Sequence, residues 1–337
     1  MNVTDIPPED GAHSHQGYDN IVIGGKELAQ VPIVTWSYVD ENIRSSLALG
    51  PNSTVMEGLA NASAISGERA EIGLCYGSRS ELNSSNGTLV FGGYDAGCVK
   101  DAFVEYDLFA VNTSEPCPLQ VRMTHVVLTY QNGSKYSITD DEQGTVAACI
   151  DPIQNAFTFS RAMYYRWANL THHPNTAPTD GSPPYTDQTY PLEAVEFMQD
   201  LTIELEGGYN VTIPHYELVS HERGSNAQGA YDVINSTRIM AAVSLQNTLQ
   251  LPVLGGVFLS QTYLRVDYNR QKFQLAHAVT DRKRTKNIVS TCPAPSPPPP
   301  KQGLSSGAIA GIVIGPVVAV VAVGVLWVSL QRKKMMN

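Results

Sequence analysis

The chain has 337 residues, of which 22 are Lys or Arg and 32 are Asp or Glu, giving a net charge of −10. At about 100–200 residues per domain this length allows one large or two modest domains, and 42% hydrophobic residues can form a sizeable core, so wholesale disorder is excluded. The acidic balance argues against nucleic-acid binding, and no nucleic-acid partner is expected.

Alternating apolar and polar residues, rich in β-branched side chains, predict strands over most of the body of the chain. In chain order the clearest strands are Thr88–Phe91, Phe103–Tyr106, Val121–Tyr130, Lys135–Ile138, Tyr263–Tyr268 and Phe273–Ala276. Asn132-Gly133 predicts a tight hairpin turn within this series, because both residue types accept positive φ angles. Two short helices are predicted, one after Asn52 or Ser53 as N-cap and one over Arg161–Asn169. The fold class is therefore mainly β.

Five cysteines allow two disulfides with one cysteine left over, and the sequence alone does not fix their pairing. Cys117 and Cys149 flank the predicted hairpin and are the preferred pair. Cys75 with Cys98 is the second choice, which leaves Cys292 free or bridging two copies of the chain.

Asn-x-Ser/Thr sequons are dense in the body of the chain, which is typical of a glycosylated lumenal or surface domain. The predicted glycosylation residues are Asn52, Asn61, Asn83, Asn86, Asn112, Asn132, Asn169, Asn210 and Asn235, with a further sequon at Asn2.

The C-terminal part predicts membrane attachment. The stretch 308–330 has one polar side chain, Ser329, and at 1.5 Å rise per residue a helix of this length crosses about 30 Å of hydrocarbon. Residues 291–307 before it are rich in proline, which predicts an extended stalk. Residues 331–337 after it carry three basic side chains, which predict a cytoplasmic tail. We therefore expect a single-pass protein of the plasma membrane or a secretory-pathway membrane, with its body extracellular or lumenal.

Small residues repeat at four-residue spacing at the start of this span, at Gly307, Gly311 and Gly315. Such a face lets two membrane helices approach closely, so it predicts self-association. Residues 1–10 have neither the basic start nor the apolar core of a signal peptide, although the predicted topology requires one. This contradiction indicates that the chain lacks its true beginning.

Three segments carry recognisable motifs in a fixed order. Residues 47–53 (Leu-Ala-Leu-Gly-Pro-Asn-Ser) match a G-L-G-x-x-S turn before a helix, with Ala48 replacing a glycine. Residues 89–95 (Leu-Val-Phe-Gly-Gly-Tyr-Asp) match an F-G-G-x-D strand. Residues 254–259 (Leu-Gly-Gly-Val-Phe-Leu) match I-L-G-D-x-F, with Gly256 replacing aspartate. In this order they resemble the pepsin-like aspartic proteases, particularly secreted fungal members.

The resemblance runs from about residue 19 to about residue 279 and implies a pepsin-like bilobal fold. Residues 1–100 would form the N-terminal lobe and residues 101–290 the C-terminal lobe. The N-terminal lobe would be incomplete, because residues 19–25 already resemble a strand deep inside it. The missing start of that lobe and the missing signal peptide point to one cause, a shortened chain or a shortened gene model.

The resemblance also implies a chemistry that this sequence does not fully support. The family uses two aspartates in D-T-G or D-S-G loops, which share a proton and activate a water, and the chain contains neither motif. Asp151, after the apolar run 146–150, aligns with the second-lobe aspartate. Pro152 stands where a hydroxyl residue is expected and Ile153 where glycine is expected. We therefore expect Asp151 to be non-functional in catalysis and to initiate a turn.

No cofactor or metal is expected. The histidine pairs His13/His15 and His172/His173 lie in polar loops without cysteine or acidic residues at ligand spacing.

The first hypothesis is an inactive, membrane-anchored, glycosylated binding module for a peptide or cell-wall polymer. The alternative is an aspartic-type endopeptidase whose N-terminal half is missing from this chain, so enzymatic activity stays open. The third hypothesis is that the shortened chain is a nonfunctional protein product.

Overall fold

The computed structural model describes residues 4–6, 13–37, 47, 49–50, 53–62, 71–78, 80–81, 84–110, 117–139, 144–172, 189–191, 199–225, 231–245, 251–281 and 283–291. All of them belong to one compact unit, Met1–Cys292. Most of the ordered elements are strands, as the alternating pattern predicts.

Strands and short helices follow one another along the chain. The strands are β1 (Thr4–Ile6), β2 (His13–Ile23), β3 (Lys26–Ser37), β4 (Glu71–Cys75), β5 (Thr88–Phe91), β6 (Gly93–Asp95), β7 (Val104–Asp107), β8 (Gln120–Thr129), β9 (Lys135–Ser137), β10 (Val146–Ile150), β11 (Phe157–Phe159), β12 (Thr189–Pro191), β13 (Asp200–Leu205), β14 (Asn210–Ile213), β15 (Val219–Ser225), β16 (Tyr231–Ala241), β17 (Val243–Leu245), β18 (Val253–Leu254), β19 (Thr262–Asp267), β20 (Lys272–His277) and β21 (Ile288–Ser290). The helices are α1 (Thr54–Asn61), α2 (Arg161–Leu170), α3 (His215–Leu218) and α4 (Gly256–Leu259), with a 3-10 turn at Ala96–Cys98.

Two larger sheets organise the body. A five-stranded sheet has the order β5-β4-β19-β20-β7, so that it joins the early strands to the late hairpin β19–β20. An eight-stranded sheet has the order β14-β13-β8-β10-β18-β11-β17, with β9 paired to β8. Smaller sheets are β1-β2-β3, β12-β16-β15 and the pair β21-β6.

The predicted local elements are confirmed. Helix α1 begins after Ser53, whose hydroxyl accepts the backbone N–H of Met56, as an N-cap residue does. In the hairpin β8–β9, Gly133 has φ of 84°, a positive angle that glycine accepts without strain. Helix α2 covers the predicted range and extends it by one residue.

The core is built from aromatic and aliphatic side chains of both larger sheets. The largest fully buried side chains include Trp167, Phe157, Phe159, Phe258, Phe273 and Tyr263. Two disulfides reinforce this body, and they join the cysteine pairs that the sequence favours, Cys117 with Cys149 and Cys75 with Cys98.

Among the residues that the structure describes, no helix is long and apolar enough to span a membrane. The predicted stalk, span and tail at 291–337 lie outside those residues apart from Thr291, so the membrane topology and the glycine-mediated self-association stay predictions.

Candidate active site

Three short strands of the eight-stranded sheet position Asp151. Strand β18 lies between β10 and β11: Cys149 pairs with Val253 in parallel, and Thr158 pairs with Val253 in antiparallel. The chain leaves β10 at residue 151 and enters β11 at residue 157. Residues 151–156, which we call the Asp151 loop, therefore pass the end of β18.

Backbone hydrogen bonds fix this loop against the start of α4. The N–H of Asp151 donates to the carbonyl of Leu254 at 3.1 Å, which secures the first end of the loop. The N–H of Gly256 donates to the carbonyl of Gln154 at 2.7 Å, which secures the second end. The loop conformation is thus set by the main chain of residues 254–256.

Gly255 is required for this close approach. A Cβ at this position would lie 2.3 Å from the carbonyl oxygen of Ala156 and 2.6 Å from that of Gln154. Only glycine avoids a backbone clash there, so Gly255 lets the loop lie flat on the chain between β18 and α4.

The carboxylate of Asp151 is engaged within its own loop. Its Oδ1 accepts the backbone N–H of Ile153 at 2.9 Å, an Asx turn that matches the predicted turn-initiating role. Asp151 and Pro152 are both half-buried, and the pyrrolidine ring offers neither a hydroxyl nor an N–H to the carboxylate. The two groups that would orient a catalytic aspartate are absent at the position where the resemblance places them.

Ile153 projects into solvent beside this carboxylate, with 65% of its surface exposed. A branched apolar side chain at this level of exposure is unusual in a tight turn. Where the motif has glycine, this chain therefore exposes an apolar side chain beside Asp151.

Tyr76, which directly follows β4, holds the other side of the loop. Its hydroxyl donates to Oδ1 of Asn155 at 3.1 Å. Its ring lies over Gly256, where a Cβ would approach ring carbon Cζ to 2.4 Å. The ring therefore occupies the space that the aspartate of the I-L-G-D motif would need.

Sequence reasoning did not find Tyr76 or Asn155. The signal that could have found them is the glycine at 256, since the loss of a side chain there implies that another group fills the space.

The Cys117–Cys149 disulfide lies two residues before Asp151 and ties β10 to the chain preceding β8. The backbone N–H of Ile150 also donates to the carbonyl of Leu119 at 3.1 Å. These contacts anchor the strand that delivers Asp151. The site therefore has a rigid base, although the motif residues around its carboxylate are replaced.

One aspartate in this setting does not constitute the catalytic pair. Water activation of this type needs two carboxylates close enough to share a proton, and the sequence supplies no D-T-G or D-S-G loop for either. The Asp151 loop contains a carboxylate held in a turn and an exposed isoleucine. The main chain of residues 254–256 and Tyr76 support it.

The predicted glycosylation residues within the described part of the chain are mostly accessible. Exposed side chains are Asn61, Asn86, Asn132, Asn169 and Asn210. Asn235 is half-buried, and its Oδ1 accepts the hydroxyl of Thr237, the third residue of its own sequon, at 2.8 Å. Asn2, Asn52, Asn83 and Asn112 lie outside the described residues.

No group of three or more His, Cys, Asp or Glu side chains that could hold a metal ion is found within the described ranges. His13 and His15 lie in strand β2, so the prediction that they sit in a loop was wrong. His172 is exposed, whereas its neighbour His173 falls outside those ranges.

Comparison with known proteins gives a consistent result. The family model described as eukaryotic aspartyl protease matches residues 53–278, more than half of the chain. A solved structure, the aspartic proteinase from Irpex lacteus, matches with a TM-score of 0.53 and 14% sequence identity, covering 85% of this chain and 83% of that chain. At this identity the structural match shows the fold alone. Comparison with curated proteins finds no match.

Proposed function

The chain belongs to the eukaryotic aspartyl protease family, and on that premise we propose that it is a membrane-anchored, glycosylated surface protein that binds an extended peptide without cleaving it. The observation that carries this proposal is the Asp151 loop, in which the carboxylate accepts the N–H of Ile153 and the neighbouring hydroxyl residue and glycine are replaced.

Loss of proteolysis follows from the chemistry of that loop. A catalytic aspartate needs a hydroxyl neighbour that holds its plane and a glycine that lets the loop donate backbone N–H groups. Pro152 supplies no donor, and the branched Ile153 restricts the backbone. Both replacements affect the carboxylate of Asp151. Restoring the family residue at only one of the two positions would therefore not restore the motif.

Binding is supported by what the loop keeps. Its backbone is pinned at both ends by residues 254–256, and Tyr76 supports it from the side of β4. A rigid base with the exposed side chain of Ile153 suits an apolar residue of a peptide ligand, because a preorganised surface costs little entropy on binding.

The proposed compartment rests on separate observations. Two disulfides are usual in an oxidising, exported setting. Five sequon asparagines are exposed, which leaves room for glycans. The apolar stretch 308–330 and the basic tail after it support anchoring with the body outside the cytoplasm.

The decisive test is hydrolysis by the full chain. The protein, purified from a eukaryotic host in detergent, is incubated with a denatured protein substrate across acid pH, with and without a pepstatin-type inhibitor. We expect no inhibitor-sensitive cleavage in the wild type and none in Asp151→Asn. Cleavage by the wild type that the inhibitor and Asp151→Asn both abolish would instead support the alternative, an aspartic endopeptidase.

Ligand selection and topology are tested separately. Display of random peptides against the purified protein should enrich sequences whose capture falls with Ile153→Ser and persists with Ile288→Ser, a matched exposed isoleucine far along the chain. Enrichment unaffected by Ile153→Ser, or capture of wall polysaccharide alone, would contradict the peptide role. Glycosidase treatment should lower the apparent mass, and alkaline carbonate should leave the protein in the membrane fraction.

A further inference from the structure

Residues 281 and 283–291, which we call the strap, run along one edge of the body immediately before the predicted stalk. Strand β21 within the strap pairs with β6, with Ile288 opposite Asp95 and Ser290 opposite Gly93. At its end, Thr291 donates its hydroxyl to Glu71 and its N–H to the carbonyl of Gly92. The strap is therefore a docked element of the body.

A buried carboxylate holds the strap at two points. Asp95 is 0% exposed, and its Oδ2 accepts Nη1 of Arg284 at 2.6 Å while its Oδ1 accepts the N–H of Asn287 at 2.8 Å. Nη2 of Arg284 donates to the hydroxyl of Thr88 at 3.0 Å. The Arg284 side chain is only 9% exposed, so its guanidinium is withdrawn from solvent.

The backbone of the strap also approaches the body closely at two glycines, although the side of Thr285 away from the body is exposed. A Cβ at Gly97 would lie 2.0 Å from the carbonyl oxygen of Thr285, and a Cβ at Gly93 would lie 2.2 Å from that of Val289. The peptide groups that follow Thr285 and Val289 are thus packed against the backbone of Gly97 and Gly93. No residue larger than glycine fits at position 93 or 97 while the strap is docked.

The sequence of the strap contains a cluster of basic residues. Lys283 and Arg284 form a basic pair, with Arg282 before it and Lys286 after it, in a chain that is acidic overall. Lys283 is exposed in a turn, where its N–H donates to Oδ1 of Asp281. Endopeptidases that cut after arginine take its side chain into an acidic pocket and bind the substrate extended. The docked strap keeps the side chain of Arg284 out of such a pocket, and its pairing with β6 hinders it from binding an enzyme as a free extended strand.

We propose that the strap is a guarded cleavage site for a serine endopeptidase selective for paired basic residues. When the strap leaves β6, the enzyme hydrolyses the bond between Arg284 and Thr285: one water is consumed, Arg284 keeps the new carboxylate, and Thr285 becomes a new N-terminal amine. The guard consists of two contacts: Asp95 holds the side chain of Arg284, and Gly97 packs against the carbonyl of Thr285, the residue directly after the scissile bond. Cleavage separates the body from the stalk, so attachment depends on the strap being docked. This inference does not depend on what the Asp151 loop binds.

The test uses the full chain in detergent and a purified subtilisin-type endopeptidase selective for Lys-Arg pairs. Wild type is compared with Gly97→Ala, whose added Cβ displaces the backbone at Thr285, at a temperature below the unfolding of either protein. We expect cleavage of Gly97→Ala to be at least about tenfold faster, since losing charged hydrogen bonds of this kind shifts an opening equilibrium by that much. The new N-terminus should be Thr285.

Two further variants keep the outcome interpretable. Thr88→Val removes one hydrogen bond from Arg284 and should raise the cleavage rate by a smaller factor. This variant replaces Gly97→Ala in the test if Gly97→Ala does not fold. Lys283→Gln changes an exposed side chain and should abolish cleavage in the Gly97→Ala background. A short peptide that contains a Lys-Arg pair, added to each reaction, supplies an internal standard for enzyme activity. Equal cleavage rates in the wild type and both opening variants would overturn the guard. Absence of a cut at Arg284 in every variant, while the added peptide is cut, would overturn the site.

Discussion

The ring of Tyr76 lies against Gly256 so closely that a Cβ at position 256 would come within 2.4 Å of the ring and its hydroxyl oxygen. The hydroxyl in turn donates to Asn155 of the Asp151 loop. Gly256 therefore does more than remove the family's aspartate. It also leaves space for the ring of Tyr76, which supports the loop. The side chains at these two positions cannot be chosen independently.

Gly256→Ala should therefore destabilise the protein through Tyr76. The ring must swing away and lose its hydrogen bond to Asn155, and overpacking of this kind costs about 1–3 kcal/mol, offset in part by the better helix propensity of alanine. The midpoint of urea unfolding measures the change.

The control is the same substitution in a Tyr76→Ala background, where the ring no longer occupies the space. There Gly256→Ala should be neutral or slightly stabilising. An equal loss of stability in both backgrounds would show that the ring is not the cause.

Asp151 separates a turn-forming role from a catalytic one. Asp151→Asn keeps an oxygen that accepts the N–H of Ile153, so it should change the free energy of unfolding little. Asp151→Ala removes the acceptor and should cost about 0.5–1.5 kcal/mol, the net worth of one hydrogen bond. Urea titration of the three proteins gives the comparison, and an Asn variant as unstable as the Ala variant would contradict the turn role.

The strands and helices were predictable because their signals are local. Alternation marks β8 and the hairpin β19–β20, and Ser53 caps α1 through a residue only three positions away. The order of strands in a sheet has no such signal. Val253 lies beside Cys149 because β18 inserts between β10 and β11, and nothing near either residue in the sequence specifies that pairing.

The candidate site divides in the same way. The turn at Asp151 follows from an aspartate before proline, and the resemblance places that aspartate at the end of an apolar strand. The contact between Tyr76 and Asn155 joins residues 79 positions apart, and the buried pair Asp95–Arg284 joins residues 189 positions apart. Such contacts depend on the assembled sheets, so a single sequence does not reveal them.

The two disulfides should differ in how readily they are reduced. Cys75 and Cys98 are both buried, whereas Cys149 is half-buried, and a thiolate must reach a sulfur to attack it. Mild reduction followed by alkylation and mass spectrometry should label Cys117 and Cys149 first. Loss of this bond, which closes a loop over a sequence separation of 32, should cost about 3–4 kcal/mol. Earlier labelling of Cys75 and Cys98 would contradict the burial argument.

Asp95 should govern the acid limit of stability. Burial alone would raise the pKa of this carboxyl, but the N–H of Asn287, the Arg284 guanidinium and the N–H of Gly97 outweigh burial and hold the pKa below its ordinary value. Because the folded pKa is lowered, the contribution of Asp95 is fully present above the unfolded pKa of about 3.9 and is lost as pH falls through the lower folded pKa.

The matched variant is Asp95→Asn, which keeps the shape and removes the charge. Near neutral pH it should lose roughly 3–5 kcal/mol, because it leaves the guanidinium of Arg284 buried without its anion. Urea unfolding from pH 7 down to about 2 should show the wild type converging on the variant below about pH 4, since protonation then removes the same charge from the wild type. A constant difference across that range would mean that the charge of Asp95 does not stabilise the strap.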